Sequence, residues 1–310
     1  MTDPAHRQRE LPGTDLANRQ RELPGDDPTP ANRQPIGLLA GWGRFPIAFA
    51  EKARSVGLPV VCVAIRGEAS PELIPLATRH YWTRPLQMGR MIRSFRREGV
   101  ESVVMAGKVH KAGLMHRPWK LIRFLPDWRT FSWWYLRNRR DNRDDTLLLS
   151  VVEEFRRDGL RIESALTLCP ELLVNPGVLT KRAPTAREER DIAFGWEMAK
   201  EMGRLDVGQS VAVKDRAVLA VEAIEGTDRA ILRAGEWCRA GGFVVVKVAK
   251  PNQDMRFDVP TVGCTTVENL HRAGGRVLAI EANKTIVLDR EQTLALADRY
   301  GLTVVALPLS

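Results

Sequence analysis

Ile36-Gly-Leu-Leu-Ala-Gly41, Val60-Val-Cys-Val-Ala-Ile65 and Ser102-Val-Val-Met-Ala-Gly107 are three runs of strand length, apolar almost throughout. Runs of this kind suit strands that are covered on both faces. Helix-compatible stretches, Pro46 to Ser55 and Leu86 to Arg97, fall between them. Strand, helix, strand, helix, strand is the order of a parallel sheet with crossover helices. The fold class read from it is α/β, beginning with an N-terminal Rossmann-like parallel-sheet domain. A helix around Asp145–Asp158 leads out of that domain.

The second half alternates differently. A long helix, Ala186 to Met202, precedes a hairpin of Gln209–Asp215 and Ala217–Ala223. A helix near Asp228–Arg239, a strand Val244–Lys250 and a helix near Thr265–Ala273 follow. Strands at Val277–Glu281, Thr285–Asp289 and Thr303–Leu307, with a helix starting at Arg290, complete a mixed α/β C-terminal domain. Upstream, His6-Arg-Gln-Arg-Glu-Leu-Pro-Gly13 returns as Asn18-Arg-Gln-Arg-Glu-Leu-Pro-Gly25. Polar, Pro/Gly-punctuated sequence of this sort cannot bury enough apolar area to offset its ordering entropy. The expected organisation is a disordered tail over 1–34, an N-terminal domain over 35–165 and a catalytic C-terminal domain over 166–310.

The formal charge is +9, and residues 1–34 hold five Arg against six acids, so the body carries +10. A basic body points to anionic partners: nucleic acid, a phosphorylated substrate or an anionic membrane. No apolar run approaches the roughly 20 residues of a spanning helix, and the start has no basic and apolar leader. The four cysteines, Cys62, Cys169, Cys238 and Cys264, form no C-x-x-C pair. That argues against a zinc site or a disulfide framework and suits a reducing cytoplasm.

Candidate chemistry gathers at four places. Gly41-Trp-Gly-Arg44-Phe-Pro46 lies between a strand and a helix, where glycines let backbone approach a phosphate. The third glycine of the dinucleotide fingerprint and its acidic residue about 20 positions on are both missing. A nicotinamide-dependent oxidoreductase is therefore the weaker reading, and a plain tight turn explains the glycines as well. Gly107-Lys108 closes the third strand, at the edge where parallel sheets bind ligands. Lys247-Val-Ala-Lys250 through Arg256-Phe-Asp258-Val-Pro-Thr261-Val-Gly263 offers cations, an amide and carboxylates in one strand and loop. Glu222 and Glu225-Gly226-Thr227-Asp228 add acids and donors at a hairpin end and a helix start. Pyrophosphate cleavage needs these types: cations to neutralise phosphate oxygens, and a carboxylate to hold Mg²⁺ or orient water. Taken singly, each loop, and Lys108 too, reads better as solvated surface, and two such loops in one domain raise the functional reading only modestly.

The fourth place is aromatic and basic. Trp119, Trp128, Trp133 and Trp134, with Phe124, Phe131 and Tyr135, are interleaved with eight Lys/Arg over residues 112–143. Such a segment suits the headgroup region of an anionic membrane, and would also suit single-stranded nucleic acid. The absence of RNP, KH or helix-turn-helix patterns weighs against nucleic acid. A non-catalytic nucleic-acid- or membrane-binding module is a second alternative to an enzyme.

These residues resemble the I-type UDP-2,3-diacylglucosamine pyrophosphatases of lipid A biosynthesis, from about Pro35 onward. The likeness rests on blocks in the family's order: Ile36–Gly41 with Gly43 and Pro46, Ala106-Gly-Lys-Val109, Asp144-Asp145, Gly203-Arg-Leu-Asp-Val-Gly-Gln209, Val221–Asp228, and Lys247 through Gly263. The resemblance implies hydrolysis of a UDP-linked diacylated glucosamine to UMP and 2,3-diacylglucosamine 1-phosphate, with the glycolipid held between two domains. It implies Mg²⁺, a homodimer, and a cytoplasmic enzyme peripheral to the inner membrane. By motif, Asp258 is the catalytic carboxylate and, with Glu222, a metal ligand. Arg44, Gly107, Lys108, Gly203, Arg204, Gln209, Gly226, Thr227, Lys247, Lys250, Arg256 and Thr261 are the substrate contacts. The membrane contact is expected at Trp119–Tyr135, with nucleic acid excluded as a partner. Two departures stand out: Gly41-Trp42-Gly43 replaces the family's Gly-Gly-Gly turn, and Lys108 stands where asparagine is common.

Overall fold

The computed structural model describes residues 33–109, 127–137, 144–251 and 253–308, without the side chains of 133–137 and 144–147. The tail expected over 1–34 lies outside this range except for its last two residues.

Five parallel strands form the first sheet in the order β3-β2-β1-β4-β5. They are β1 (Ile36–Ala40), β2 (Val60–Ile65), β3 (Arg79–Thr83), β4 (Ser102–Ala106) and β5 (Arg161–Glu163). Helix α1 (Phe45–Ser55) covers one face, and α2 (Met88–Arg97) and α4 (Asp144–Arg157) cover the other. Alternation explains how one strand serves both layers. Leu38 and Ala40 pack with Phe45, Phe49 and Ala53, while Leu39 between them faces Met91, Ile92 and Phe95. Between α2 and α4 lies α3 (Trp128–Arg137), capped by Asp127, whose Oδ1 accepts from Thr130 N at 2.9 Å. Sequence reading places no helix there, although Trp128, Phe131 and Tyr135 recur at the i, i+3, i+7 spacing of one helix face. The cap is local, and the anchor on α2 (Met88 N donating to Thr130 Oγ1, 3.1 Å) is tertiary.

The second sheet is mixed, in the order β6-β13-β11-β9-β7-β8. Its strands are β6 (Gly177–Val178), β7 (Ser210–Lys214), β8 (Ala217–Val221), β9 (Val244–Lys247), β11 (Val277–Glu281) and β13 (Thr303–Leu307). The β7–β8 hairpin is antiparallel, and β9, β11 and β13 run parallel. Helix α5 (Ala186–Arg204) packs Ile192, Trp196 and Ala199 on one face. The other face is covered by α6 (Thr227–Trp237), α7 (Cys264–Arg272) and α8 (Arg290–Arg299).

Two expected strands are shorter than their apolar runs. Val244–Lys250 pairs only to Lys247, because Ala249 N donates to the Glu281 side chain (2.7 Å) instead of to a strand. In Thr285–Asp289 only β12 (Ile286–Val287) is extended. It pairs with β10 (Thr261–Val262) in a separate two-stranded ribbon, and Asp289 turns left-handed at φ +45° to start α8. The ribbon joins the two halves. Ile286 and Leu288 belong to the same apolar core as Phe45, Phe49 and Leu73.

Helix α5 begins with a reciprocal cap. Thr185 accepts from Glu188 N, and the Glu188 carboxylate accepts from Thr185 N (2.8 Å) and from Arg182 (2.7 Å). Burial pushes the Glu188 carboxyl up. Hydrogen bonds from Arg182 and Thr185 outweigh it, leaving the group below the ordinary glutamate range. A carboxylate lowered in this way stabilises the fold fully above the ordinary range, and that contribution is lost as pH falls through the lowered value. Thr185→Ala is expected to cost about 1 kcal/mol, measured by urea unfolding at neutral pH. Glu188→Gln is expected to lower Tm at pH 7, with the difference from the parent shrinking below roughly pH 4. A constant difference across that range would remove the carboxylate from the account.

Candidate active site

In an open parallel sheet, the ligand crevice forms at the carboxyl ends of the strands where the winding reverses. Here that point lies between β1 and β4, and the backbone there is drawn unusually close. Trp42 N donates to Lys108 O (2.7 Å) and Lys108 N to Trp42 O (2.9 Å). A Cβ on Gly41 would stand 2.6 Å from Lys108 O. One on Gly107, where φ is +87°, would stand 2.7 Å from Trp42 O. Both glycines are thus consumed by the crossing of two turns, which fixes Lys108 at the rim of the sheet. This is structural work of the first glycine's kind in a nucleotide-binding turn, and it needs no dinucleotide.

The second sheet supplies a buried polar cluster. Lys247 at the end of β9 is only 2% exposed. Its Nζ donates to Thr227 Oγ1 (2.8 Å), and Thr227 in turn donates to Glu222 Oε1 (2.9 Å). Ser210 Oγ lies 3.4 Å from the same threonine oxygen. With its own proton committed to Glu222, the Thr227 hydroxyl is left to accept from the ammonium. Burial pushes Lys247 below the ordinary lysine range. Glu222 opposes this, Lys108 adds to it, and Asp228 and Asp258 oppose it more weakly. Burial pushes Glu222 up, but Lys247, hydrogen bonds from Ser210 and Thr227, and then Lys108 bring it below the usual carboxylate range. Lys108 therefore reaches the cluster electrostatically from the first sheet. Lys247, Thr227 and Glu222 form the bonded group, and Lys108 from the first sheet, Asp228 and Asp258 bear on it electrostatically. Gly226, at φ +84°, begins α6 beside them.

The remaining candidates are distributed around this centre. Gly203 packs on Lys250, whose Nζ pairs with Asp206. The Gln209 carbonyl accepts from Val248 N (3.0 Å). Arg204 is exposed on the last turn of α5 and pairs with Glu201 (2.8 Å). Arg256 is held within its own loop by Asp254 (2.6 Å), and Thr261 Oγ1 donates to Val259 O (2.9 Å). Arg44 pairs with Glu51 (2.7 Å) and with Asp289 (3.1 Å), bracing α1 against the start of α8.

Sequence reading missed two contributors. Ser210 sits at the first position of an apolar strand, where nothing marked it. Glu281, fully buried at the end of β11, accepts from Lys200 Nζ (2.7 Å) and from Ala249 N (2.7 Å), pinning the peptide between Lys247 and Lys250. An acid closing an apolar parallel strand, at the edge where ligands bind, was the available signal.

As to a metal, no three His, Cys, Asp or Glu side chains gather at ligating distance among the described residues. Asp228 Oδ1, however, is buried and has no hydrogen-bond partner among the described residues. Mg²⁺ commonly takes one or two carboxylates and completes its shell with substrate phosphates and water. The carboxylates here fit a site of that shared kind, not an all-protein cage. Of the aromatic segment, Trp119 and Phe124 lie outside the described residues, as do the side chains of Trp133, Trp134 and Tyr135. Trp128 and Phe131 stand exposed on α3.

Comparison with known proteins gives matches along almost the whole described chain. Residues 35–172 match the LpxI N-terminal domain and residues 175–305 the LpxI C-terminal domain. A Caulobacter vibrioides protein, UDP-2,3-diacylglucosamine pyrophosphatase LpxI, is 32% identical over 280 residues, 87% of this chain and 96% of its own. Among solved structures, the biotin carboxylase subunit of pyruvate carboxylase aligns over 61% of this chain and 38% of its own, at 13% identity and a TM-score of 0.24. That overlap is too slight to carry any inference.

Removing the Lys247 cation would leave Glu222 buried with its charge uncompensated. Lys247→Met is expected to cost about 3–5 kcal/mol in urea unfolding. In a Glu222→Gln background the same substitution should cost markedly less, since no carboxylate is then stranded. Equal costs in the two backgrounds would mean that the pair is not coupled.

Proposed function

The chain belongs to the LpxI family, and on that premise we propose that it hydrolyses the pyrophosphate of UDP-2,3-diacylglucosamine, giving UMP and 2,3-diacylglucosamine 1-phosphate in lipid A biosynthesis. The observation that carries the chemistry is the buried Lys247–Thr227–Glu222 chain, on whose lysine Lys108 and Asp258 both act electrostatically. A pyrophosphate diester is anionic on both phosphorus atoms, and the reaction moves further negative charge onto the bridging oxygen as the P–O bond breaks. Two ammonium groups approaching from different sheets suit that demand. Lys247 is held in advance by Thr227, so it needs little reorganisation when charge develops, and the backbone pair with Trp42 fixes the point from which Lys108 extends.

Asp258 is assigned the water. Its carboxylate accepts a proton as the water oxygen bonds to phosphorus, and the bridging oxygen departs with the other phosphate. The first peptide N–H groups of α6 after Gly226 have no partner within the helix by construction and favour phosphate oxygens. Gly203, Gln209 and Lys250 line the neighbouring stretch and are assigned substrate contact, with Arg204, Arg256 and Thr261 around them. Arg44 is assigned a bracing role through Asp289, since its guanidinium already holds two carboxylates. Mg²⁺ is part of the proposal, held by Asp258 and Glu222 with substrate oxygens, and when bound it would supply charge neutralisation at the phosphates. Glu222 otherwise holds Thr227 and offsets Lys247.

A diacylated substrate must be collected from a bilayer. We therefore place the enzyme in the cytoplasm, peripheral to the inner membrane, and as a homodimer by its resemblance to the family. Among the described residues no helix is long and apolar enough to cross a membrane.

Purified protein is expected to release UMP from UDP-2,3-diacylglucosamine in the presence of Mg²⁺, followed by chromatography of the nucleotide. Asp258→Ala should lower kcat roughly 100-fold or more with KM near that of the parent. Undiminished turnover in that variant would move the water-activating role elsewhere, and no UMP from the parent with any divalent metal would sink the reaction itself.

A further inference from the structure

Residues 84–143 contain fifteen Lys/Arg against four Asp/Glu, a local excess of eleven positive charges in a chain whose whole excess is nine. The basic character of the protein is thus confined to this segment, and α2 shows how part of it is displayed. Met88, Met91, Ile92 and Phe95 are buried against the first sheet. Arg90, Arg93 and Arg97 fall on the opposite side of the helix, all exposed. Two other arginines nearby are tied down: Arg96 pairs with Asp158 (3.3 Å), and Arg129 with Glu154 (3.1 Å). Arg90, Arg93 and Arg97 have no carboxylate within ion-pair distance among the described residues. Arg97, in the last turn, favours the helix dipole, but Arg90 and Arg93 bring the fold no such interaction.

Next to this face stands an aromatic pair. Trp128 on the first turn of α3 is 80% exposed and stacks on Phe131 at 5.9 Å between ring centroids. The two helices are locked together. Arg90 N donates to Asp127 Oδ2 (3.1 Å), and Arg93 and Asp127 both crowd the one bare position of the helix, Gly89. Asp127 N also donates to Leu86 O (3.1 Å), so α3 starts at the carboxyl edge of the first sheet, the edge that presents Lys108.

We propose that the arginine face of α2, with Trp128 of α3 at its border, is the surface by which the enzyme docks on an anionic phospholipid bilayer. This rests on the reading of the substrate as a diacylated lipid. Each element matches one layer of the target. Guanidiniums meet the phosphates of the headgroups, worth an appreciable fraction of binding per charge. An exposed indole beside them suits the interface between headgroup and acyl chain. The position at the rim of the Lys108 edge brings the site to the surface where the lipid resides. Single-stranded nucleic acid would also meet cations and an indole. The three arginines stand on the outer face of one helix, spread along it as a plane of headgroups would meet them, which favours the bilayer.

The experiment is co-sedimentation of the full chain with vesicles of phosphatidylethanolamine alone or with one-third phosphatidylglycerol. The parent should bind the anionic vesicles and release them as salt rises, and bind the neutral ones far less. Arg90→Gln/Arg93→Gln/Arg97→Gln should lose roughly 100-fold in vesicle affinity, from about fivefold per charge, with Tm and hydrolysis of detergent-dispersed substrate unchanged. Trp128→Ala should lose binding to anionic vesicles to a smaller degree and with little change in salt dependence. Equal binding of parent and triple variant would overturn the proposal. So would a parent that prefers a single-stranded oligonucleotide to anionic vesicles and loses it in the same variant. Vesicle binding needs no turnover, so failure of the parent to release UMP with binding intact would count against the hydrolase reading and not against this surface.

Discussion

The ammonium of Lys247 is taken almost completely out of water, and much of the site's architecture follows from that. An isolated cation in such a place would cost several kcal/mol after relaxation, so the surrounding sequence has to answer it. Glu222 supplies the opposing charge, Thr227 the acceptor, and Ser210 a further hydroxyl to the same threonine. These partners come from the ends of β7, β8 and β9 and from the start of α6, so the four elements cannot shift independently without stranding a charge. The arrangement is also a poised one. A cation depressed by burial and by Lys108 gains from any further negative charge brought beside it.

The backbone crossing at β1 and β4 plays the complementary part on the first sheet. Gly41 and Gly107 permit an approach that any side chain would block, and the two hydrogen bonds between Trp42 and Lys108 then fix where the second ammonium begins. One lysine is therefore held by a buried polar network and the other by backbone geometry, leaving its long side chain free to adjust. Under the proposed function, that division would suit a bulky glycolipid with phosphates to grip: a rigid floor on the second sheet and a flexible cation at the rim.

How much of this was legible in the sequence varies with the physics behind each element. β1, β2 and β4 are covered on both faces, and their apolar runs announced them with bounds right to within a residue. β3 (Arg79–Thr83) sits at the sheet edge with a half-exposed face, so Arg79, His80 and Tyr81 hid it. β5, three residues with charges at both ends, carried no pattern at all. At the site, Lys247 and Glu222 stood out because cations and acids at the ends of apolar strands are conspicuous, while Thr227 and Lys108 were singled out by the family's motifs. Arg44 and Arg256 stood out for the same reason, yet both hold carboxylates instead of standing open. Charge type is visible in one dimension, but whether a charge already has a partner is decided by the fold. Glu281 illustrates the converse: a single acid at a strand end reads as trivial until Ala249 N and Lys200 are seen to converge on it.

The ribbon of β10 and β12 ties these observations together. It places Ile286 and Leu288 in the core beneath α1 while Asp289, next along the chain, receives Arg44. The ion pair is half-exposed and screened, so it contributes little to holding the sheets in register. The apolar insertion is fully desolvated, and drawing it out would return buried surface to water at roughly 25 cal/mol per Å². The spacing between Lys108 on one sheet and Lys247 on the other is thus set mainly by packing, and charge only orients the local turn. That order of strengths matters for the chemistry. A site assembled by ion pairs between its halves would loosen with salt and with the arrival of a polyanion, whereas one assembled by a buried ribbon keeps the backbone origins of its two lysines at a fixed separation.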